Sequence, residues 1–142
     1  MTYLPDVNVW IALASNRHVH HPAAKRWFQN IGTDQLVFCR ITELGFLRLL
    51  TNVHVMGEDV LDPAHAWRVY DELRSDPRVI FLSEQADFSQ RWRAAGNQIV
   101  GGPNAWTDAY LAAFAVHANT TVVTFDLRFR AIGNCAVRTL TA

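Results

Sequence analysis

Four acidic residues lie at the ends of predicted strands or at the starts of predicted helices, where carboxylates can do chemistry. Asp6 follows the first predicted strand, and Asp126 follows a late one. Glu43 and Asp108 lie in the first turns of predicted helices, and a threonine directly precedes each of them. Two carboxylates about 4 Å apart repel each other by about 4 kcal/mol at an effective dielectric constant of 20. If the four acids converge, a cation or raised pKa values must therefore stabilise the group.

The donor atoms of this group indicate which cation it would bind. All four side chains offer hard carboxylate oxygens, which suit Mg²⁺ or Mn²⁺ and disfavour zinc. Such ions, held by a few carboxylates and by water, typically serve phosphate chemistry.

Each acid taken alone also has an ordinary structural explanation. Acids at helix N-termini gain about 0.3–1 kcal/mol from the helix dipole, which applies to Glu43 and Asp108. Asp6 could cap a helix, and Asp126 could form a turn. Asp108 fits this explanation least well, because it shares a helical face with the apolar residues three, four and seven positions later. A buried carboxylate on an apolar face favours a ligand-binding role.

Apolar strands alternate with helices along the chain. Strands are predicted over Thr2–Leu4, Gln35–Cys39, Arg78–Leu82, Thr120–Phe125 and Ala136–Leu140. Helices are predicted over Val7–Ala14, Ala23–Ile31, Ile41–Leu50, Pro63–Arg74, Gln85–Gly96 and a stretch that begins after Asn104. Pro5 is expected to close the first strand, and a polar connection is expected over residues 51–59.

This alternation predicts a three-layer α/β/α fold with a central, mainly parallel sheet, in one domain over residues 1–142. Ligands of such sheets bind beyond the carboxyl ends of the strands, which is where the four acids are predicted to lie.

Composition sets the limits on the functional class. Half of the residues are hydrophobic and 18% are charged, which is typical of a folded, soluble protein. The sequence has no apolar run of about 20 residues and no signal-like start, so we expect no membrane segment. Cys39 and Cys135 do not make a disulfide framework, which favours the reducing cytoplasm. Thirteen basic residues balance thirteen acidic ones, so RNA or DNA binding would require a local basic patch.

Four segments of the sequence resemble the acidic motifs of PIN-domain ribonucleases, and particularly those of VapBC-type toxins. They are, in order, "DVNVWIAL", "ITELGFLRLL", "WTDAYLAAFA" and "TFDLRF". The resemblance extends from Asp6 to Asp126 and implies a PIN-like fold. It also implies a Mg²⁺-dependent endoribonuclease that restrains translation and growth, with Mn²⁺ as a possible substitute. The metal-binding and catalytic residues that it implies are Asp6, Glu43, Asp108 and Asp126, supported by Asn8, Thr107 and Thr124.

The resemblance also implies partners. A VapB-type antitoxin would insert a segment into the acidic groove, and the toxin would form a homodimer. The RNA contacts that we consider are Arg128, Arg130 and Arg48, together with Lys25, Arg26 and Arg40. Arg128 and Arg130 are favoured because they lie next to Asp126 in the sequence.

Three alternatives remain open. A haloacid-dehalogenase-like phosphohydrolase also begins with a strand-end aspartate, but its motif requires an acid where this chain has Asn8. A phospho-receiver domain requires a strand-end lysine, and no lysine follows Lys25. The third alternative is a non-catalytic RNA- or protein-binding domain whose acids hold a structural cation.

Other motifs have simpler interpretations. The "HVHH" segment, His18–His21, resembles a zinc clip but is better explained as a loop and helix start before Pro22. The five tryptophans are expected in the core or in interfaces rather than in base-stacking platforms. The "GGPN" segment at residues 101–104 leads into the helix of Asp108, and it could also line a substrate groove.

Overall fold

Strands and helices alternate along the chain, and the computed structural model describes residues 1–129 and 132–141. The strands are β1 (Thr2–Pro5), β2 (Gln35–Phe38), β3 (Val79–Phe81), β4 (Thr121–Thr124) and β5 (Ala136–Thr139). The helices are α1 (Val7–Ala14), α2 (His21–Asn30), α3 (Arg40–Leu50), α4 (Val53–Met56), α5 (Pro63–Arg74), α6 (Phe88–Gly96) and α7 (Ala105–Ala118). Arg130, one of the predicted RNA contacts, lies outside the described residues.

Within the described residues, five strands form one sheet in the order β3-β2-β1-β4-β5. Every neighbouring pair is parallel, which confirms the predicted sheet. Strand β1 lies between β2 and β4, and Pro5 pairs in register with Val123. The residues that follow β1 and β4 therefore emerge side by side at one edge of the sheet.

The two faces of the sheet are covered by different helices, as the three-layer prediction requires. Side chains alternate along each strand, so Tyr3 faces one cluster of buried residues and Leu4 faces the other. The first cluster contains buried residues of α1, α2, α3 and α5, and the second contains buried residues of α6 and α7. No helix in the described ranges combines the length and the apolar content that crossing a membrane requires.

Pro5 does not shorten β1, contrary to the expectation from the sequence. Strand β1 includes Pro5, and the Asp6 backbone N–H donates to the Val123 carbonyl oxygen at 2.8 Å. Proline lacks one N–H donor, but the ladder continues because the next residue supplies its own. Asp6 is therefore held directly against β4.

The segment predicted as a polar connection contains helical structure. Helix α4 is followed by a 3₁₀ turn over Gly57–Asp59. The Asn52 side chain caps α4 by accepting a hydrogen bond from the His54 backbone N–H at 2.9 Å. A side-chain cap of this kind allows a single helical turn in a sequence with little helical periodicity.

Gly45 allows close packing between α3 and α1, and we expect Gly45→Ala to lower the free energy of unfolding by about 1–3 kcal/mol. A Cβ atom at position 45 would lie 2.8 Å from Cγ2 of Val7. Valine is stiff at χ1, so this methyl group cannot move away cheaply. Alanine otherwise favours a helix by about 1 kcal/mol over glycine. The measurement is urea denaturation of the variant and of the Gly45→Ala/Val7→Ala double variant.

The double variant separates the clash from a general loss of stability. Once Val7 is shortened, adding Gly45→Ala should no longer destabilise the protein. If Gly45→Ala lowers the free energy of unfolding equally in the wild type and in the Val7→Ala variant, the close contact is not the cause.

Candidate active site

Asp6 lies where β1 ends and α1 begins, and two hydrogen bonds fix its partly buried carboxylate. The Val7 backbone N–H donates to Oδ1 at 2.7 Å, and the Thr124 hydroxyl donates to Oδ2 at 3.2 Å. Asp6 is thus the N-cap of α1, as its ordinary structural explanation predicts. Burial raises the pKa of Asp6 above its usual value, and the charge of Asp126 adds to this effect. The two hydrogen bonds oppose the rise. A carboxylate with a raised pKa beside another acid is suited to bind a cation.

Thr124 connects Asp6 to the other end of the chain. Its fully buried hydroxyl accepts hydrogen bonds from Asn8 Nδ2 at 3.3 Å and from the Asp126 backbone N–H at 3.0 Å. The Asn8 Oδ1 atom accepts from the Phe125 backbone N–H at 3.3 Å. Asn8 and Thr124 therefore lie beside the acids that they were predicted to support, and they hold the turn after β4 against α1.

Asp108 and Asp126 line one surface cavity of about 190 Å³. The loop of residues 101–104, Ala105 and Arg128 complete the lining. The "GGPN" segment thus borders the acids, which is one of the two roles considered for it. Arg128 Nε lies 3.5 Å from Asp126 Oδ1, but the arginine side chain is 90% exposed. Such an exposed ion pair is weak, so this arginine is accessible to an anionic ligand.

Glu43 is buried in the first turn of α3 and has partners of its own. Arg40 Nη1 donates to its Oε1 at 2.6 Å, and the Tyr70 hydroxyl lies close enough to interact with its carboxylate. Burial raises the pKa of Tyr70 to about 12, and the interaction with Glu43 contributes to the rise. The Tyr70 hydroxyl accepts in turn from Arg74 Nη1 at 3.0 Å. Glu43 is therefore bound into a network of α3 and α5 side chains.

This network contains residues that the sequence analysis did not assign to the site. Tyr70 and Arg74 come from α5, and no motif in the sequence connects them with Glu43. Arg40 was considered only as an RNA contact, although its spacing of three residues before Glu43 is a signal for a helical ion pair. The guanidinium of Arg40 also lies 4.7 Å from the centre of the Phe81 ring at the end of β3.

The remaining predicted residues lie farther from these contacts or outside them. Thr107 is exposed in the first turn of α7, and Arg48 is exposed in the last turn of α3. Their roles stay predictions. The histidine segment starts α2 as expected: His21 is its first residue, and its Nδ1 lies 2.7 Å from the Ala12 carbonyl oxygen.

The acids at the sheet edge have the oxygen donors of a divalent-metal site, but the described side chains do not lie close enough together to coordinate an ion. Asp6 and Asp126 interact electrostatically, and Asp126 shares a cavity with Asp108. Across residues 1–129 and 132–141, no three His, Cys, Asp or Glu side chains are grouped closely enough to hold a metal ion. The oxygen donors and the raised pKa of Asp6 nevertheless fit a hard cation, whose charge would offset the repulsion.

Comparison with known proteins identifies the family. Residues 3–134 match the PIN domain. Ribonuclease VapC41 of Mycobacterium tuberculosis is 37% identical over 142 residues, which cover 96% of this chain and 97% of that protein. Among solved structures, the fold resembles VapBC2 from Rickettsia felis bound to a promoter DNA fragment, with a TM-score of 0.72 and 14% identity over 99% of this chain and 100% of that one. It also resembles a toxin–antitoxin complex from Klebsiella pneumoniae, with a TM-score of 0.67 and 20% identity over 96% of both chains. The chain therefore belongs to the PIN-domain family and, within that family, to the VapC ribonucleases.

Proposed function

We propose that this protein is the toxin of a VapBC-type toxin–antitoxin module and that it hydrolyses RNA phosphodiester bonds with a divalent metal ion. The observation that carries this proposal is the position of Asp6 and Asp126 at the neighbouring ends of β1 and β4, where the Thr124 hydroxyl binds both the Asp6 carboxylate and the Asp126 backbone N–H. This places two carboxylates, with Asp108 on the same cavity as Asp126, at the edge where parallel sheets bind ligands.

Asp6 and Asp108 are proposed as direct ligands of Mg²⁺, for which Mn²⁺ can substitute. Glu43 and Asp126 would complete the shell directly or through water. When bound, such an ion lowers the pKa of a bound water and offsets charge that develops on phosphate. The protein holds Asp6 in place with the Val7 N–H and the Thr124 hydroxyl, so little rearrangement is required there. Arg40 occupies Oε1 of Glu43, so a metal at that oxygen would compete with the arginine.

The partners and setting follow from the same proposal. We propose a VapB-type antitoxin that blocks the acidic cavity, and a toxin homodimer that works in the cytoplasm as a single domain over residues 1–142. The toxin–antitoxin complex among the solved relatives supports an antitoxin partner, because the fold matches over nearly all of both chains.

Metal removal tests the enzymatic proposal. We expect the purified protein to cleave single-stranded RNA with Mg²⁺ or Mn²⁺, to lose activity in a chelator, and to regain it when excess Mg²⁺ is added. Gel analysis of end-labelled RNA measures this. Cleavage that persists in the chelator would contradict the metal requirement. Chelator-independent RNA binding with no cleavage under any condition would instead favour the non-catalytic domain.

Arg128 is expected to contact substrate phosphate, and Arg128→Gln should weaken RNA affinity several-fold. Neutralising one phosphate contact should also reduce the slope of log affinity against log salt by about 1. Affinity is measured in a chelator at several salt concentrations, so that no RNA is cut. Arg68→Gln is the matched control, because Arg68 is exposed on α5 and does not line the acidic cavity. An equal loss in both variants would indicate a general effect of charge rather than a contact.

A further inference from the structure

Trp106 exposes a large aromatic surface at the end of α7 that carries Asp108. It lies in the first turn of α7 and is 63% exposed. The tryptophans were expected in the core or in interfaces; Trp10 and Trp27 are buried, whereas Trp67 on α5 is 47% exposed. Tryptophan is usually mostly buried, so an exposed indole close to a reactive site indicates a binding surface.

The indole of Trp106 is held in one orientation. Its ring packs edge-to-face on Trp92, with 5.7 Å between centroids and 69° between planes. Trp92 packs in turn on Tyr110 at 5.3 Å. Gly96 lies against the indole, and a Cβ atom there would come within 3.2 Å of the ring. Because its edge is fixed by these neighbours, the exposed face is preorganised for a flat ligand.

The surroundings of Trp106 suit a nucleic acid. A surface cavity of about 380 Å³ runs between α6 and α7 at this point. Its described lining includes one cation, Arg93, and no acid. Trp106 shares the first turn of α7 with Asp108, and one helical turn rises only about 5.4 Å. The two residues are two positions apart, so their side chains project to opposite sides of the helix, and Trp106 does not line the acidic cavity. The indole and the acidic cavity thus lie on different flanks of the same end of α7, where separate nucleotides of one extended strand can reach both, with Arg93 beside the indole and Arg128 beside the cavity.

We infer that Trp106 is a stacking platform for a nucleobase of a single-stranded RNA whose backbone passes through the acidic cavity. This inference rests on the proposed function and adds a specificity-determining subsite to it. Tryptophan stacks on any base, so the platform selects unpaired nucleotides over duplex RNA rather than one sequence. Watson–Crick duplexes keep their bases stacked on each other and offer no free face.

Binding experiments in a chelator test the platform without cleavage. We expect Trp106→Leu to weaken the affinity for a single-stranded oligoribonucleotide by about 10-fold, because an aliphatic side chain cannot stack on a base. Trp106→Phe should stay within about 3-fold of the wild type, since it keeps an aromatic face. Val116→Ala is the control, because Val116 is an exposed apolar residue near the other end of α7. Circular dichroism and thermal melting confirm that each variant is folded.

A series of oligoribonucleotides, each with one abasic position, tests whether base stacking on Trp106 contributes to the affinity. One position in the series should weaken binding to the wild type by about 10-fold and leave binding to Trp106→Leu unchanged, as expected for two groups that act on each other. Equal affinity of wild type and Trp106→Leu would overturn the inference. A Trp106→Leu variant that binds every abasic RNA in parallel with the wild type would also overturn it. The inference would also be overturned if Trp106→Leu binds RNA normally and loses only its binding to a protein partner, because the surface would then bind protein.

The inference and the proposed function fail separately. If wild-type protein cuts RNA in a metal-dependent manner but Trp106→Leu binds RNA normally, only the platform is wrong. If the wild type shows no cleavage with Mg²⁺ or Mn²⁺, the proposed function is wrong whatever the binding data show.

Discussion

Replacing Asp6 by Asn is expected to lower metal-dependent RNA cleavage by at least about 100-fold while the protein stays folded. Loss of one anionic ligand removes several kcal/mol of stabilisation from a metal-assisted reaction, and each 1.36 kcal/mol is tenfold in rate. The fold should survive because asparagine caps helices about as well as aspartate, so its side-chain oxygen can still accept from the Val7 N–H. Single-turnover cleavage of labelled RNA and urea denaturation measure the two quantities.

The control for this variant is Asp71→Asn, which also removes one negative charge. Asp71 is exposed on α5 and does not line the acidic cavity, so its cleavage rate should match the wild type. Asp6→Asn protein that is as stable and as active as the wild type would remove Asp6 from the catalytic site. A parallel loss in Asp71→Asn would point to an effect of net charge.

Phe38→Ala should lower the free energy of unfolding by about 3–5 kcal/mol, the largest stability effect that we expect. Phe38 is fully buried at the end of β2 and stacks on Trp10, with 3.8 Å between ring centroids. Its ring also packs on Phe46 and edge-to-face on Tyr70. Truncation leaves a cavity among three rigid rings that cannot collapse to fill it. Urea denaturation at constant pH measures the change.

Two comparison variants show whether the loss comes from the cavity. Phe38→Leu keeps most of the volume and should be less destabilising than Phe38→Ala. Val19→Ala should change the free energy of unfolding by less than about 0.5 kcal/mol, because Val19 is exposed. A Phe38→Ala loss no larger than that of Val19→Ala would mean that the ring stack contributes little.

The sequence predicted the sheet well because its strands are short apolar runs between clear helix signals. Strands β1 and β4 lie within or next to the segments expected to be strands. Once β1 and β4 are known to be parallel neighbours, their carboxyl ends meet at one edge of the sheet, which places Asp6 beside Asp126. The charge of Asp126 does act on Asp6. The continuation of β1 through Pro5 was missed, since a local rule about proline cannot anticipate the compensating N–H of the next residue.

The surroundings of Glu43 could not be predicted in the same way. Its partner Tyr70 belongs to α5, and contacts between helices of one layer depend on packing angles that a single sequence does not encode locally. The difference between Trp10, which is buried, and Trp106, which is exposed, has the same origin. Both tryptophans lie in apolar helices, and the face and the turn of the helix on which each ring lies decide which one reaches solvent.

The bond between Thr124 and Asp6 joins residues that are 118 positions apart. A ribosome-bound nascent chain that has not yet exposed β4 has Asp6 but lacks the hydroxyl, the backbone ladder and the second carboxylate that define its environment. Contacts of such high sequence separation form late, because the long loop between them must be closed first. Under the proposed function, the toxin would therefore be harmless until β4 has left the ribosome. It would become dangerous only after that point, and from then on its inhibitor must be available.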